Sequence, residues 1–193
     1  MSSGLQAIVI GASAGALEAL SAILPGLPAG YALPIFIVVH LPPDKDSLLA
    51  EILASKCKLQ VHEAEDKEVI RPGTIYVAPP DYHLLIEHDG TLSLSSEEQV
   101  HFSRPSIDVL FETAADAYGD KLVGIVLTGA NQDGADGLRA IAEAGGKAIV
   151  QQPSLAFSPF MPKAALDACP AAEAMSLDMI AAWLQSLSEG SAK

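Results

Sequence analysis

The sequence predicts an α/β fold, namely a doubly wound, mostly parallel sheet with helices on both faces and an antiparallel hairpin insert. Short continuous apolar runs, which are typical of strands buried on both faces, alternate with amphipathic helical stretches. Between residues 73 and 94 the pattern changes to short strand-like runs separated by turn residues. Strands that alternate with helices favour parallel pairing, and the turn-rich stretch indicates the hairpin insert.

The first part of the chain is predicted to hold two strand–helix units. The apolar run at residues 7–10 is a strand, and residues 14–24 have the spacing of an amphipathic helix. The β-branched run at residues 34–40 is a second buried strand. Asp46 can cap a helix that extends through Lys56.

The middle of the chain is predicted to form antiparallel hairpins. Residues 73–79 and 82–87 are joined by Pro80 and Asp81, and residues 92–94 follow the turn His88-Asp89-Gly90. These short runs account for the insert in the parallel sheet.

The last part returns to alternating strands and helices. A helix from Ser106 to about Tyr118 has Asp108 in its first turn, where a carboxylate suits the helix dipole. The remaining predicted elements are a strand at 122–127, a helix at 133–144 closed by two glycines, a strand at 147–150, and helices at 162–168 and 177–187. Residues 188–193 are expected to fray.

Composition limits the classes of function. A chain of 193 residues, half of them hydrophobic, is expected to form one domain, with its core at about residues 5–187. The net charge of -13 argues against nucleic-acid binding. No apolar run suits membrane insertion and no signal peptide is evident, so a cytoplasmic location is expected. Cys57 and Cys169 alone indicate neither a disulfide framework nor a metal site, and no cofactor is expected.

Three polar residues follow three different predicted strands. Ser13 lies in the pattern Gly11-x-Ser13-x-Gly15, which matches a nucleophile elbow between a strand and a helix. His40 ends the second strand, and Asp133 lies in a Gly-rich strand-to-helix turn. Sites in open α/β sheets lie beyond the carboxyl ends of the strands, so these three side chains are candidates for one site.

The chemistry of these residue types is that of an activated hydroxyl. A neutral imidazole can take the proton of a serine, and a buried carboxylate can orient the imidazole and stabilise its charged form. Each residue also has a structural alternative. Ser13 and Asp133 could be helix N-caps, and His40 could end its strand and donate to a loop carbonyl.

Other polar residues are poorer candidates. The other histidines show no metal-ligand spacing; they are His62, His83, His88 and His101. A group of acidic residues could form an acidic rim, although a solvated face is the simpler interpretation; they are Asp44, Asp46, Glu63, Glu65 and Asp66.

Six segments then stand in a fixed order along the chain. They are Ile10-Gly11-Ala12-Ser13-Ala14-Gly15, Val39-His40-Leu41-Pro42, Pro72-Gly73-Thr74-Ile75-Tyr76-Val77-Ala78-Pro79, Arg104-Pro105-Ser106-Ile107-Asp108-Val109-Leu110-Phe111, Leu127-Thr128-Gly129 with Asp133-Gly134-Ala135, and Met161-Pro162-Lys163-Ala164-Ala165. In this order they resemble the catalytic domain of the chemotaxis-receptor methylesterases, the CheB family. The resemblance extends from about Ala7 to Ala168.

The resemblance implies a reaction and a role for each candidate. Ser13 is similar to the family's nucleophile, His40 to its general base and Asp133 to the carboxylate that orients the base. The implied oxyanion donors are the backbone N–H groups of Ala14 and Ala130. The implied activity is hydrolysis of glutamate γ-methyl esters on cytoplasmic helices of chemoreceptors or a related signalling protein, with glutamine deamidation in some members. The implied fold agrees with the periodicity.

The chain departs from the family pattern at several positions. Ala14 and Ala16 stand where the family usually has a hydroxylated residue and a glycine, and Ala130-Asn131 stands where it usually has Met-Gly. Phe160 precedes Met161 where glycine is more usual, and both are expected in the substrate groove. The receiver domain that normally precedes the catalytic domain is not expected here. These departures leave open an alternative, a catalytically weak signalling or scaffold domain, and a small-molecule esterase or glutaminase shares the same three residues.

Overall fold

Strands and helices alternate along most of the chain in a computed structural model, which describes residues 4–40 and 47–189. The strands are β1 (Ala7–Ala12), β2 (Ile35–Val39), β3 (Gln60–Glu63), β4 (Thr74–Val77), β5 (His83–Ile86), β6 (Leu92–Ser95), β7 (Leu122–Val126), β8 (Lys147–Gln151) and β9 (Glu173–Met175). The helices are α1 (Ala16–Ile23), α2 (Leu49–Lys56), α3 (Ile107–Tyr118), α4 (Ala135–Glu143), α5 (Phe160–Ala168) and α6 (Leu177–Glu189). Two short 3₁₀ helices are Gly119–Lys121 and Pro153–Leu155.

Seven of these strands form one parallel sheet in the order β3-β4-β2-β1-β7-β8-β9. The other two, β5 and β6, form a separate antiparallel hairpin. This topology confirms the predicted fold class. The central strands β1, β2 and β7 are buried at every position, as their continuous apolar runs predict.

One predicted pairing is wrong. Residues 73–79 and 82–87 do not form a hairpin, because β4 pairs in parallel with β2 and β3, whereas β5 pairs with β6. Strand β4 is buried at all four positions and belongs between two other strands. The turn residues at 80–81 mark a change of direction, but they carry no information on which sheet the next strand joins.

The two edge strands of the sheet, β3 and β9, were not predicted. Strand β3 has no fully buried residue, and β9 has only three residues, of which two are exposed. Such short and partly polar strands lack the periodicity by which strands are recognised. Both thiols, Cys57 and Cys169, are free.

Helices cover both faces of the sheet and divide the core in two. Helices α1, α2 and α6 pack on one face, through residues such as Leu20, Leu53 and Leu184. Helices α3, α4 and α5, together with the hairpin, pack on the other face, through residues such as Phe111 and Leu138. This double cover confirms the doubly wound arrangement.

Two predicted helix ends fall partly outside the described residues. Asp46, the predicted cap of the second helix, lies outside them; α2 begins at Leu49, whose N–H donates to Ser47 Oγ at 3.3 Å. Helix α6 continues to Glu189, past the predicted end, and residues 190–193 lie outside the described part. No helix in the described ranges has the length and apolar character needed to cross a bilayer.

The sheet register brings the carboxyl ends of the three central strands together. Ala12 of β1 is paired with Val39 of β2, and Gly11 of β1 is paired with Val126 of β7. The residues that follow these strands therefore emerge side by side at one edge of the sheet.

Candidate functional site

Ser13 occupies a tight turn between β1 and α1. Its N–H donates to the carbonyl oxygen of Thr128 at 2.9 Å, and its Oγ has no hydrogen-bond partner among the described residues. Gly15, not Ser13, takes the N-cap position of α1. Gly15 has a φ of 83°, and a Cβ there would lie 2.9 Å from the Cβ of Phe157. The hydroxyl of Ser13 is therefore not used as a helix cap.

His40 lies beside Ser13 because the two strands before them end in register. The N–H of His40 donates to the carbonyl oxygen of Ala12 at 3.3 Å. Ser13 and His40 both line the same groove, although no hydrogen bond joins Ser13 Oγ to the His40 ring in the described structure. Catalytic hydrogen bonds often tighten only when substrate binds, so the lack of this contact does not exclude His40 as a partner of Ser13.

Asp133 contacts the ring of His40 from the buried side. His40 Nε2 lies 2.7 Å from Asp133 Oδ2, and the side chain of Asp133 is fully buried while 12% of the His40 side chain is exposed. His40 thus does not bind a loop carbonyl with this nitrogen. A buried carboxylate on a partly exposed imidazole is the arrangement that fixes the ring's orientation.

The N-terminus of helix α3 holds Asp133 in place. Asp133 Oδ1 accepts hydrogen bonds from Ser106 Oγ and from the N–H of Asp108, both at 2.9 Å. Its Oδ2 accepts one from the N–H of Ile107 at 2.6 Å. Asp133 therefore caps α3, whereas its own helix α4 has Gly134 at the N-cap position. The close approach of α3 to β1 depends on Gly11, where a Cβ would overlap the side chain of Ile107.

The charge state of Asp133 follows from these contacts. Burial alone would raise the pKa of Asp133, but the hydrogen bonds from His40 and the α3 backbone outweigh it and lower that pKa below its ordinary value. An ionised carboxylate only accepts hydrogen bonds, so His40 Nε2 carries the hydrogen. In the neutral ring Nδ1 is then the acceptor, and Asn131 Nδ2 lies 3.5 Å from it.

We call residues 127–134, between β7 and α4, the acid loop. Thr128 connects this loop to the turn of Ser13, because its Oγ1 donates to the carbonyl oxygen of Ala14 at 2.8 Å. Neither the N–H of Ala14 nor that of Ala130 donates to another described residue. Both groups are thus available to a ligand, and their assignment as oxyanion donors stays a prediction.

Met161 and Phe160 lie at the start of α5. Met161 is 1% exposed, and its N–H donates to the carbonyl oxygen of Gly129 at 2.9 Å. It therefore contacts the acid loop through the backbone. Phe160 is exposed. Neither residue lines the large groove beside Ser13, where Phe157 is the aromatic side chain instead. Their role in a substrate groove stays a prediction.

A groove of about 1070 Å³ opens beside Ser13 and His40, between helices α1 and α2. We call it the α1–α2 groove. Its wall is mainly apolar, with Leu17, Leu48 and Ile52 among its residues. Glu18 and Lys56 add one charge of each sign. Its volume is that of a cleft that binds a ligand.

Two of the other histidines named from the sequence have structural partners. His62 Nε2 lies 2.6 Å from Glu68 Oε1. His83 is buried and accepts a hydrogen bond from the N–H of Ser106 at 3.1 Å. Of the suggested acidic rim, Glu63, Glu65 and Asp66 lie on or after β3, and Asp44 and Asp46 lie outside the described residues.

Sequence reasoning gave three residues that shape the site no part in it. Asp108 is predicted only as a first-turn acid of its own helix, Thr128 lies in a motif without a separate role, and Phe157 carries no prediction. The signal available for Asp108 was an acidic residue in a helix first turn, and burial of that carboxylate cannot be read from the sequence. Asp108 Oδ2 pairs with His101 Nε2 at 3.1 Å.

One group of side chains has the composition of a metal site. In the described part of the chain, ligand atoms of His101, Asp108 and Asp136 lie within 4.8 Å of one another. These atoms already have partners, since His101 pairs with Asp108, and Asp136 pairs with Arg139 at 3.0 Å. We therefore describe the group as a network of ion pairs.

Comparisons with known proteins agree with the geometry. Residues 8–184 match the model of the CheB methylesterase family. A relative from Leptospira interrogans, named putative protein-glutamate methylesterase/protein-glutamine glutaminase, is 52% identical over 176 residues, which cover 91% of each chain. A relative from Caulobacter vibrioides, named protein-glutamate methylesterase/protein-glutamine glutaminase 2, is 37% identical over 186 residues, or 94% of this chain and 54% of that protein.

A solved structure agrees as well. The crystal structure of the Thermotoga maritima CheB methylesterase catalytic domain superposes with a TM-score of 0.87 and 31% identity, over 95% of this chain and 98% of that one. The three comparisons therefore agree: the family model covers most of the chain, one relative is identical at half of the aligned positions, and the solved structure has the same fold. This chain belongs to the CheB methylesterase family.

Proposed function

We propose that this protein hydrolyses glutamate γ-methyl esters on chemoreceptor helices, with Ser13 as the nucleophile, His40 as the general base and Asp133 as the residue that orients the base. The observation that carries the proposal is the 2.7 Å contact between His40 Nε2 and the buried carboxylate of Asp133, at the sheet edge where Ser13 also emerges. Family membership supplies the ester as substrate.

The first half of the reaction acylates Ser13. His40 Nδ1 takes the proton from Ser13 Oγ as the oxygen attacks the ester carbonyl, and Asp133 stabilises the resulting imidazolium. The tetrahedral oxyanion forms against the N–H groups of Ala14 and Ala130, which have no other described acceptor. The imidazolium then returns its proton to the leaving methoxide, so that methanol departs.

The second half regenerates the enzyme. Water enters beside His40, which takes one proton while the hydroxide attacks the glutamyl ester on Ser13. Collapse of the second tetrahedral intermediate breaks the bond to Ser13 Oγ, and His40 returns the proton to that oxygen. The receptor is released with a free glutamate.

Glutamine deamidation follows the same path with ammonia as the leaving group. The amide nitrogen leaves only when protonated, so this reaction depends more strongly on proton donation by His40. The double name of the relatives motivates this second substrate. In the same proposal the partner is a cytoplasmic receptor segment, which reaches Ser13 through the α1–α2 groove.

The test is methanol release from a methylated chemoreceptor by the wild-type protein and by Ser13→Ala. We expect release by the wild type and a loss of about a thousandfold or more in the variant, since only the oxyanion donors and binding remain. Unchanged release in the variant would refute Ser13 as the nucleophile.

A fluorophosphonate separates the proposal from the alternative of an inactive scaffold. The probe forms a P–O bond to Ser13 Oγ, releases fluoride and leaves the proton on His40. Labelling that Ser13→Ala abolishes indicates an activated serine, whereas receptor binding without labelling of the wild type supports the scaffold. Ser186→Ala, which removes an exposed hydroxyl from helix α6 outside the groove, is a matched control that should be labelled normally.

A further inference from the structure

Two carboxylates cap helices α3 and α4 reciprocally, because each accepts hydrogen bonds from the N-terminus of the other's helix. Asp133, just before α4, accepts from the first backbone N–H groups of α3, as described above. In return Asp108, in the first turn of α3, accepts through Oδ1 from the N–H of Gly134 at 3.0 Å and of Gly137 at 2.7 Å. Each helix thus supplies the acid that satisfies the free donors of the other.

These hydrogen bonds form a closed network that includes Asp133, the residue proposed to orient His40. The N–H of Asp108 donates to Asp133 Oδ1, and Asp108 Oδ1 accepts from Gly134, which is bonded directly to Asp133. One residue therefore fixes both the side chain of Asp133 and the backbone that follows it. A shift of Asp108 would move Asp133 relative to His40.

His101 contacts the same network of hydrogen bonds through Asp108 and Gln132. Its Nε2 lies 3.1 Å from Asp108 Oδ2, and its Nδ1 lies 3.4 Å from Gln132 Nε2, in the residue before Asp133. His101 adopts a left-handed backbone conformation with a φ of 49°, which is uncommon in a non-glycine residue. It thus joins Asp108 to Gln132 of the acid loop.

We infer that Asp108, paired with His101, is a positioning residue of the catalytic site: it holds the acid loop so that Asp133 stays on His40 and the N–H of Ala130 stays at the oxyanion position. The inference rests on the proposed roles of those residues. Asp108 touches neither substrate nor Ser13. Its effect is on the rate of the chemical step, because a displacement of Asp133 or Ala130 weakens the transition state more than substrate binding.

The charges that surround Asp108 come from several elements. Asp133 and Asp136 are anionic neighbours from the acid loop and α4, and His101 is the neighbour that favours its charged form. Glu112, on α3, faces the same group, since Asp136, Asp133 and His101 also act on its pKa. Burial, the largest effect, and the neighbouring acids raise the pKa of Asp108 to about 6.

The experiment compares the labelling kinetics of Ser13 by a fluorophosphonate in the wild type, Asp108→Ala, Asp108→Asn and His101→Ala. We expect Asp108→Ala to lower the maximal labelling rate about tenfold or more, with the half-saturating probe concentration within about twofold of wild type. Asp108→Asn keeps one acceptor oxygen for Gly134 and Gly137 and should recover the rate to within about threefold of wild type.

The paired variant tests whether the two residues act together. Because His101 acts through Asp108, the double variant should label no more slowly than Asp108→Ala alone. Asp178→Ala removes a first-turn carboxylate from α6, away from this network, and should label like wild type. Circular dichroism and thermal melting check folding, and if Asp108→Ala does not fold, His101→Ala alone must lower the maximal rate.

Three outcomes would overturn the inference. They are a folded Asp108→Ala protein that labels at the wild-type rate, a loss that lies in the half-saturating concentration alone, and independent, multiplying effects of the two residues. Methanol release from a methylated receptor is measured on the same proteins. If the wild type releases none but labels at Ser13, the proposed substrate is wrong while the comparison of labelling rates still decides the role of Asp108.

Discussion

Thr128 Oγ1 lies 2.8 Å from the carbonyl oxygen of Ala14, although the two residues are 114 positions apart. Thr128 Oγ1 also accepts a hydrogen bond from the N–H of Ser158 at 2.9 Å. In addition, the carbonyl of Thr128 accepts from the N–H of Ser13. A single residue in the acid loop, through its hydroxyl and its carbonyl, thereby fixes the turn that presents the proposed nucleophile.

We predict that Thr128→Val loosens this connection and lowers the rate of Ser13 labelling about tenfold, since small displacements at a reacting centre are costly. Valine has the shape of threonine but leaves the half-buried N–H of Ser158 without its acceptor. The free energy of unfolding should fall by about 1–3 kcal/mol. Labelling kinetics and urea unfolding measure the two effects.

Thr128→Ser is the matched control, because it keeps the hydroxyl and removes only a methyl group. It should retain most of the labelling rate. Equal losses in the valine and serine variants would show that the methyl contact, and not the hydrogen bonds of Oγ1, accounts for the effect.

The sheet and the contact between His40 and Asp133 could both be predicted from the sequence for the same reason. Buried parallel strands have continuous apolar runs, so their carboxyl ends can be located, and those ends meet at one edge. The pairing of β4 could not be predicted, because a strand of four residues followed by a turn fits either sheet. Long-range partners, not local pattern, decide that choice.

The role of Asp108 could not be predicted for a related reason. Its capping of α4 depends on the close approach of two helix N-termini, which only the folded chain creates. The sequence marks Asp108 and Asp133 each as an acid near a helix start, and the simplest expectation is that each serves its own helix. The structure instead shows that each caps the other's helix.

We predict that Asp133→Asn lowers methanol release by about a thousandfold to ten thousandfold, because an amide cannot hold His40 with hydrogen on Nε2 while accepting from α3. The same change should reduce the free energy of unfolding by about 1–3 kcal/mol, since three donors of α3 lose a charged acceptor. Kinetics and urea unfolding check the two parts.

Asp167→Asn on helix α5 provides the control, because that residue is exposed and far along the chain from the acid loop. It should change neither quantity. An Asp133→Asn protein with normal methanol release would rule out Asp133 as the residue that orients the base.

The two carboxylates should give stability opposite dependences on pH. The pKa of Asp133 is lowered in the folded protein, so its contribution is present above its ordinary pKa and is lost as pH falls through the lower folded value. The pKa of Asp108 is raised to about 6 by burial, so the folded state holds an extra proton between its ordinary pKa and that value. The contribution of Asp108 to the free energy of unfolding therefore falls as pH rises from about 4 to 6.

We predict that Asp108→Asn removes this fall. The unfolding free energy of the variant relative to wild type should increase between pH 4 and 6 by at most about 3 kcal/mol, and then stay level at higher pH. Urea unfolding of both proteins across this range measures the difference, in which the other titrating groups largely cancel. A difference that does not vary with pH would mean that Asp108 has an ordinary pKa in the folded protein.

The α1–α2 groove leads to a last prediction, which concerns a large substrate and not the chemistry. Leu48 is 58% exposed at the edge of this groove and takes the N-cap position of α2. Leu48→Asp should leave folding intact, because aspartate is a favoured N-cap, while it places a charge on an apolar wall. Loss of one apolar contact corresponds to about a tenfold rise in KM for a methylated receptor. Labelling by the small fluorophosphonate should not change.

Met179→Asp gives the matched control for this prediction, since Met179 has a similar exposure of 55% but lies on α6, outside the groove. It should alter neither KM nor labelling. If Leu48→Asp leaves KM for the receptor unchanged, the receptor segment does not reach Ser13 across α2. If labelling falls together with receptor turnover, the substitution has disturbed His40, and Leu48 is coupled to the reacting groups instead of to the substrate.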